Sequence, residues 1–424
     1  MQHFTTKKYF YGFLFTLFGI AVQAQPIVTT ISSPSKHTLN SVYSPCSCVS
    51  VAVGDSVILI SGDLGDTWRS VSDTFTSSLL TVFFPSEHIG YAGGISANDV
   101  ATILKTTDGG KKWENLPAPV TYRQVSSLFF TNDTIGYLVA QDTNVYKTTD
   151  GGQHWDTITP PKAGNYGWNQ VFFADAQHGY LLGLTYTGNN NYGAIFSKTI
   201  NGGATWSAAD TIFIAPKQQP YSEFFVNDTL GFITATRGET QPNSALVRTT
   251  DGGATFAANP YGFDLYLSGL YFLNTDTGFI SGQNGTLLYT SDGGNSVTAL
   301  QTNTTALLSD VNFTPDSAVG LAVGNNGTIL KINFAQNTTA VVQASGLAGT
   351  NIYPNPSSGG SFTINAGSAS AYQVNVLNSL GQQVYSQAAT SNTTSISMPT
   401  TTPGIYYIEI ITSQGTAIQK LILN

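Results

Sequence analysis

One eight-residue turn is rebuilt six times along this chain. It reads SGDLGDTW (Ser61–Trp68), TTDGGKKW (Thr106–Trp113), TTDGGQHW (Thr148–Trp155), TINGGATW (Thr199–Trp206), TTDGGATF (Thr249–Phe256) and TSDGGNSV (Thr290–Val297). The last residues of these copies stand 45, 42, 51, 50 and 41 positions apart. A catalytic motif normally occurs once per site, so a turn repeated at this interval points to architecture. The flanks name its local structure. ATILKTTDGG, NVYKTTDGG and TLLYTSDGG are short apolar runs entering an Asp-Gly turn, which is a hairpin signal.

A period in the forties belongs to propeller blades or helical arrays, and hairpins select the first. A second recurring stretch precedes each turn: VFFPSEHIGYAGG (82–94), LFFTNDTIGYLVA (128–140), VFFADAQHGYLLG (171–183), EFFVNDTLGFITA (223–235) and LYFLNTDTGFISG (270–282). Each reads as a strand, a polar turn and a Gly-aromatic strand. Every repeat thus supplies four strands, A to D from the inside outwards, with the Asp turn between C and D. Weaker copies at 42–54 and 311–324 bring the number of repeats to seven. The seventh stops one strand short, after GTILKINF (327–334), while residues 26–43 resemble the stretch that follows each turn. The expected fold is all-β: a seven-bladed β-propeller over 25–338, its ring closed by Val28–Ser32 beside the strand around Leu330. Closure of this kind removes exposed sheet edges.

The turn residues have structural duties. Asp63, Asp108, Asp150, Asp251 and Asp292, and Asn201 in their place, accept hydrogen bonds from backbone N–H groups and from the Ser/Thr two residues earlier. Gly permits positive φ, and Trp68, Trp113, Trp155, Trp206 and Phe256 anchor the outer strand. This pattern resembles the Asp-box (BNR) repeat of sialidases, sortilin-type receptors and xyloglucan-degrading enzymes. With its Gly-aromatic companion strands it is most similar to the seven-bladed photosystem II assembly factors and their secreted bacterial relatives. The resemblance spans residues 26 to about 334 and implies fold more than chemistry.

Both ends of the chain speak of export. Lys7 and Lys8, the apolar stretch YFYGFLFTLFGIAV and Val22-Gln23-Ala24 read as a signal peptide over 1–24, cleaved near Ala24. No later segment approaches 18 unbroken apolar residues, so no transmembrane segment is expected in the mature chain. After a linker at 339–350, residues 351–424 hold one acid, Glu409, and one base, Lys420, in alternating strands that read as a small Ig-like β-sandwich. This module resembles the type A sorting domain of the type IX secretion system, with Tyr353-Pro354-Asn355-Pro356, Gly404-Ile405-Tyr406 and the ending Lys420-Leu421-Ile422-Leu423 in order. The resemblance implies engagement of the type IX machinery and a protein that is secreted or displayed at the outer-membrane surface of a Gram-negative bacterium. In an oxidising compartment, Cys46 and Cys48 are either a disulfide across a turn or a pair of free thiols.

Chemistry is sparse. Charged residues make up 9% of the chain, against about 25% in a typical domain. The formal charge of −8 falls to −10 once the two lysines of the signal leave, and no basic patch suits nucleic acid. A sialidase, as the resemblance describes it, needs three converging arginines. The chain has only Arg69, Arg123, Arg237 and Arg248, of which Arg69 directly follows one repeated turn and Arg248 lies in a C strand leading into another. Xyloglucan enzymes use two facing propellers, and photosystem factors use an arginine-lined face for which Arg123 and Arg237 alone remain. His88, His154 and His178 fall in turns of different blades without metal-ligand spacing, and no nucleophile elbow or phosphate loop occurs. No metal or cofactor is expected.

Two features carry the functional expectations. The face with the D–A and B–C loops gathers Tyr122, Arg123, Tyr166, Trp168, Tyr221, Tyr261, Phe263, Asp264 and Tyr266 as candidates for stacking on a sugar or peptide. Trp168 stands outside the repeated turns, in a D–A loop, and is expected to be dispensable for stability. Glu223 occupies an inner-strand position where the other repeats carry Val82, Leu128, Val171, Leu270 and Val311. It faces a watery channel or a partner, since burying a bare carboxylate is costly, and it is the one candidate catalytic acid, with Asp264 as a guessed partner. The expected function is binding of a glycan or protein ligand. The alternatives are a glycoside hydrolase or lyase acting on extracellular polysaccharide, and a structural surface component.

Overall fold

The computed structural model describes residues 25–71, 77–161, 166–188, 191–212, 218–237, 244–261, 265–334, 350–355, 357, 360–367, 371–377, 383–398, 404–412 and 415–423. The expected signal segment lies outside them, as does the expected linker apart from Thr350. The chain divides into two compact units, Met1–Phe334 and Ala335–Asn424.

Seven four-stranded antiparallel sheets make up the first unit, in the order A-B-C-D along the chain for the first six: residues 39–70, 78–116, 127–158, 166–212, 218–260 and 267–299, blades 1 to 6. Blade 7 takes its inner three strands from Leu308–Phe313, Val319–Gly324 and Ile329–Phe334. Its outer strand is Pro26–Ile31, paired in antiparallel register with Val28 opposite Ile332 and Thr30 opposite Leu330. The two termini of the ring are therefore tied by a full strand, which brings blade 7 to four strands like the others.

Each repeated turn is a closed hydrogen-bond circuit. In blade 2 the Thr106 hydroxyl donates to Asp108 Oδ1 (2.9 Å) and accepts from Gly110 N–H (2.9 Å). The same Oδ1 takes the N–H groups of Lys111 and Lys112, both at 2.9 Å. Trp113 Nε1 then donates to the Gly110 carbonyl at 3.0 Å, folding the indole back over the turn. Gly110 is required twice over: its φ is +87°, and a Cβ there would meet Val51 of the preceding blade at 2.8 Å. Donors crowding one carboxylate favour its ionised form, and the Thr67 and Thr255 contacts bring Asp63 and Asp251 down to about 2.

Blades are stapled to one another by contacts the repeat hides. The aromatic of the Gly-aromatic strand B stacks on the inner-strand Phe of the next blade in blades 2 to 5, as Tyr91 does on Phe130 at 3.6 Å, Tyr180 on Phe225 at 3.5 Å and Phe232 on Phe272 at 3.7 Å. Where that aromatic is Tyr, its hydroxyl donates to a turn carbonyl of the next blade, as Tyr137 does to Gly202 at 2.6 Å. A strand-C lysine reaches the Asp turn of the next blade: Lys105 to Gly151, Lys147 to Gly202 and Lys198 to Gly252. Across the ring closure Lys331 pairs instead with Asp66 at 2.7 Å. Cys46 and Cys48 are joined by a disulfide at the A–B turn of blade 1.

The second unit holds a three-stranded sheet (Thr350–Tyr353, Ser361–Ala366, Thr393–Ser397) and a four-stranded one (Gln383–Ala389, Tyr372–Leu377, Gly404–Thr412, Gly415–Leu423). Phe362, Ile364 and Ile396 of the first share one core with Val374, Val376, Ile408, Ile410 and Leu421 of the second, which makes a β-sandwich. Glu409, the acid singled out by its isolation, accepts a hydrogen bond from Asn375 Nδ2 at 2.8 Å.

Candidate functional site

The loop-face candidates separate when placed. Tyr122 is 79% exposed at a left-handed turn (φ +59°), and neighbouring Arg123 is also exposed, donating to the Gln141 carbonyl at 3.3 Å. Tyr221 and Tyr266 are half-buried and meet edge to face, 4.1 Å between centroids. Tyr261 is spent on a structural bond, its hydroxyl donating to the Gly294 carbonyl of the next blade's turn at 2.8 Å. Tyr166 opens the inner strand of blade 4, and its side chain lies outside the described residues, as do Phe263 and Asp264. Of the face expected from sequence, the Tyr221–Tyr266 pair is brought together.

Trp168 requires a correction. It is in the strand Tyr166–Phe173, not in a loop, and is wholly buried. Its backbone is bonded on the Asp142 side, N–H to the Asp142 carbonyl at 2.8 Å, and the indole lies over Gly183, where a Cβ would come within 3.0 Å of the ring. The reason is a bulge that recurs in six blades. Register shifts fall between Leu39 and Ser41, Leu79 and Thr81, Trp168 and Gln170, Pro220 and Ser222, Leu267 and Gly269, and Leu308 and Asp310. Trp168 stands three residues before Val171, as Leu79 stands before Val82 and Leu308 before Val311, all of them fully buried. That apolar position was present in the sequence, three residues upstream of each inner-strand motif. It was masked because the residue between the two bulge positions varies freely.

The bulge also sets a polar residue beside the propeller axis in most blades. Ser41, Thr81, Ser127, Gln170, Ser222 and Asp310 line a cavity of about 420 Å³ together with the inner-strand residues that follow them. Around it runs an arc of aromatic rings, one from each of six successive blades. Centroid distances are 5.0 Å for Tyr43–Phe83, 4.5 Å for Phe83–Phe129, 5.3 Å for Phe129–Phe172, 5.4 Å for Phe172–Phe224 and 5.0 Å for Phe224–Tyr271. The seventh position is Asn312, whose Oδ1 accepts the Ser44 N–H at 3.0 Å. Exposed Pro315, in the A–B turn of blade 7, is part of the wall, so the cavity reaches the face that carries the turns.

Glu223 is among the residues of this wall and 7% exposed, but its carboxyl oxygens meet neither the watery channel nor the partner expected from sequence. Its N–H donates to Gln170 Oε1 at 2.8 Å, but both carboxyl oxygens are buried without a hydrogen-bond partner among the described residues. Burial pushes the group up to about 8 from an ordinary 4.5. Asp310 is also raised, to about 6, by burial, even though Val42 N–H, the Ser41 hydroxyl and Val311 N–H all donate to it. The unfolded chain ionises Glu223 near 4.5, whereas the folded protein holds that proton to about 8. The folded state therefore binds more protons in between, and the stability this contributes is full below 4.5 and lost as pH rises through 8. Wild type is expected to lose on the order of 3 kcal/mol between pH 4.5 and 7 that Glu223→Gln retains. Denaturant melts of both proteins across that range check it, and parallel pH trends would contradict it.

The turn histidines are where sequence put them. His154 and His178 lie against Asp150 (2.7 Å) and Asp175 (2.8 Å) of their own turns, the first pair well exposed. Among the described residues no cluster of three His, Cys, Asp or Glu is placed to hold a metal ion.

Comparison with known proteins follows the same division of the chain. Residues 351–424 match the family model described as a secretion system C-terminal sorting domain, and residues 63–209 match that of photosynthesis system II assembly factor YCF48. No curated protein matches the chain. Among solved structures, YCF48 bound to a D1 peptide is 16% identical, with 72% of this chain and 96% of that one covered at a TM-score of 0.56. YCF48 from Cyanidioschyzon merolae is 15% identical, with 72% and 98% covered at 0.57. The GH74 enzyme of Niastella koreensis is 16% identical, with 93% and 67% covered at 0.57. Likeness at these identities is likeness of fold. The chain is a BNR-type propeller with a type IX C-terminal sorting domain, which implies a secreted or outer-membrane surface location.

Proposed function

We propose that this is an exported binding protein, its propeller carried across the outer membrane by residues 351–424 and holding a glycan or protein segment in the axial cavity. The observation that carries the reading is the wall of that cavity: the arc of six aromatic rings with Phe313 beside it, and a few polar groups. Ligand sites have this make-up, an apolar enclosure with sparse polar groups that fix orientation. The neighbouring fold that binds a D1 peptide supports the use of a single propeller as a peptide receptor. A glycosidase needs two carboxyl groups free to work on opposite sides of one bond. Asp310 is engaged by three donors, which leaves Glu223 without a free second carboxyl among the described residues lining the cavity. The hydrolase reading therefore rests on Glu223 alone.

A glycan and peptide array probed with the chain lacking residues 1–24 tests the proposal. At least one ligand class is expected to bind, and Thr81→Trp, which puts an indole into the cavity, is expected to abolish the signal. An array without hits, or hits indifferent to Thr81→Trp, would overturn it. Release of shortened products from a bound polysaccharide would favour the hydrolase instead.

A further inference from the structure

We infer that the axial cavity takes a neutral phenol-type group, such as a tyrosine side chain, its ring within the aromatic arc and its hydroxyl toward the side where the arc is broken. This deepens the binding proposal and rests on it. The break itself carries the argument. Six blades place a ring at this position of the inner strand, and blade 7 places Asn312 there. On either side of that gap stand Tyr43 of blade 1 and Tyr271 of blade 6, whereas the rest of the arc is phenylalanine. Neither tyrosine hydroxyl has a hydrogen-bond partner among the described residues. Unlike the hydroxyl of Tyr289, neither is sealed inside protein, so both open onto the cavity. Burial holds Tyr43 neutral and the nearby Tyr271 adds to this, which sets the two hydroxyls close across the gap. Asn312 Oδ1 is taken by the Ser44 N–H, which leaves the amide N–H groups as donors beside them.

The wall decides the charge of the guest. It holds no Lys, Arg or His, so an anion finds no counter-charge. The Glu223 oxygens are enclosed, and Asp310 has one oxygen engaged by Ser41 and Val42 and the other by Val311, so a desolvated cation finds no bare carboxylate either. A neutral guest remains. Its shape follows from the arc. Neighbouring rings stand 4.5 to 5.4 Å apart and are tilted to one another by 39° to 57°. They form a continuous band with no single flat platform for a sugar ring, and a sugar inside a polymer would have to continue past them. A side chain ends, and a flat ring that enters edge-on meets tilted rings edge to face, the arrangement their quadrupoles favour. The two tyrosine hydroxyls can each donate or accept, which suits a hydroxyl at the tip of that ring. The entrance agrees with the gap: exposed Pro315 of the wall follows Asn312 by three residues, in the same blade.

The probes are p-cresol, with toluene as the same ring without its hydroxyl, and N-acetyl-tyrosine amide, each titrated calorimetrically into the chain lacking residues 1–24. Cresol is expected to bind saturably and toluene at least about tenfold more weakly, the worth of a hydrogen bond lost in a desolvated site. In the double variant Tyr43→Phe, Tyr271→Phe, cresol is expected to fall to the level of toluene while toluene is unchanged, which also shows that the cavity has kept its shape. Thr81→Trp is expected to abolish binding of both. No cresol binding, toluene binding as tightly as cresol, or a double variant or Thr81→Trp variant that binds cresol as wild type does would each overturn the inference. Binding of the tyrosine amide assigns the site to a side chain, and binding of cresol alone assigns it to a free phenol. If array ligands blocked by Thr81→Trp persist while cresol fails, the binding proposal stands and only the ligand class is lost. If both fail, the cavity is not a binding site.

Discussion

Trp168→Ala is expected to destabilise the propeller by about 3–5 kcal/mol, the range for truncating a wholly buried aromatic in a packed core. The indole belongs to a cluster that spans two blades: Tyr137, Val139 and Val145 come from blade 3, and Val171, Phe173, Leu181 and Ile195 from blade 4. Its removal leaves a void at a blade interface whose backbone is fixed on both sides by sheet hydrogen bonds, so little collapse can fill it. Trp113→Ala is expected to cost less, because that indole is only half-buried and its ring edge meets Phe84 across 5.9 Å. Urea melts of the two variants against wild type give the order directly. A Trp168→Ala protein that melts no earlier than Trp113→Ala would contradict the core placement. The reading of the sequence alone gives the opposite order, since it sees the repeated tryptophan as the staple and the unrepeated one as spare.

Removal of residues 351–424 is expected to leave the propeller folded and confined to the periplasm. The folding half of that expectation follows from the ring. Pro26–Ile31 completes blade 7 by pairing with Ile329–Phe334, so the closed propeller draws no strand from the C-terminal unit. The export half follows from the match of the whole deleted segment to a secretion sorting domain. Cell fractionation with a protease-resistance assay on the periplasmic protein separates the two. Wild-type amounts of truncated protein outside the cell would end the assignment of export to this module, and a protease-sensitive periplasmic product would show that the ring needs it.

Much of this molecule was legible before any coordinates, and the parts that were share a cause. The Thr106–Asp108–Gly110–Trp113 circuit closes within eight residues, so its donors, acceptors and positive-φ glycines stand side by side in the sequence. Counting such turns together with their companion strands pointed to seven blades, and the missing strand after Phe334 pointed to closure by Val28–Ser32, which the structure places at Pro26–Ile31. The sorting domain was legible for a similar reason, as an ordered string of short motifs.

The site was not legible in the same way, because it is made of contacts between blades. The arc from Tyr43 to Tyr271 collects one ring every forty-odd residues, and those rings become neighbours only when the sheet circle closes. Glu223 announced itself by breaking a column of apolar residues, yet whether it met water, a partner or nothing depended on every blade around the axis at once. Trp168 was misplaced for want of one bulge, which shifts register by a residue and carries a side chain from surface to core. Sequence alone determined the repeat, the turns and the C-terminal sorting domain, since hydrogen bonds between near neighbours and short ordered motifs are written in order along the chain. The tertiary structure alone decided which side chains are buried and what they face, since burial is a sum over seven strands that meet only at the axis.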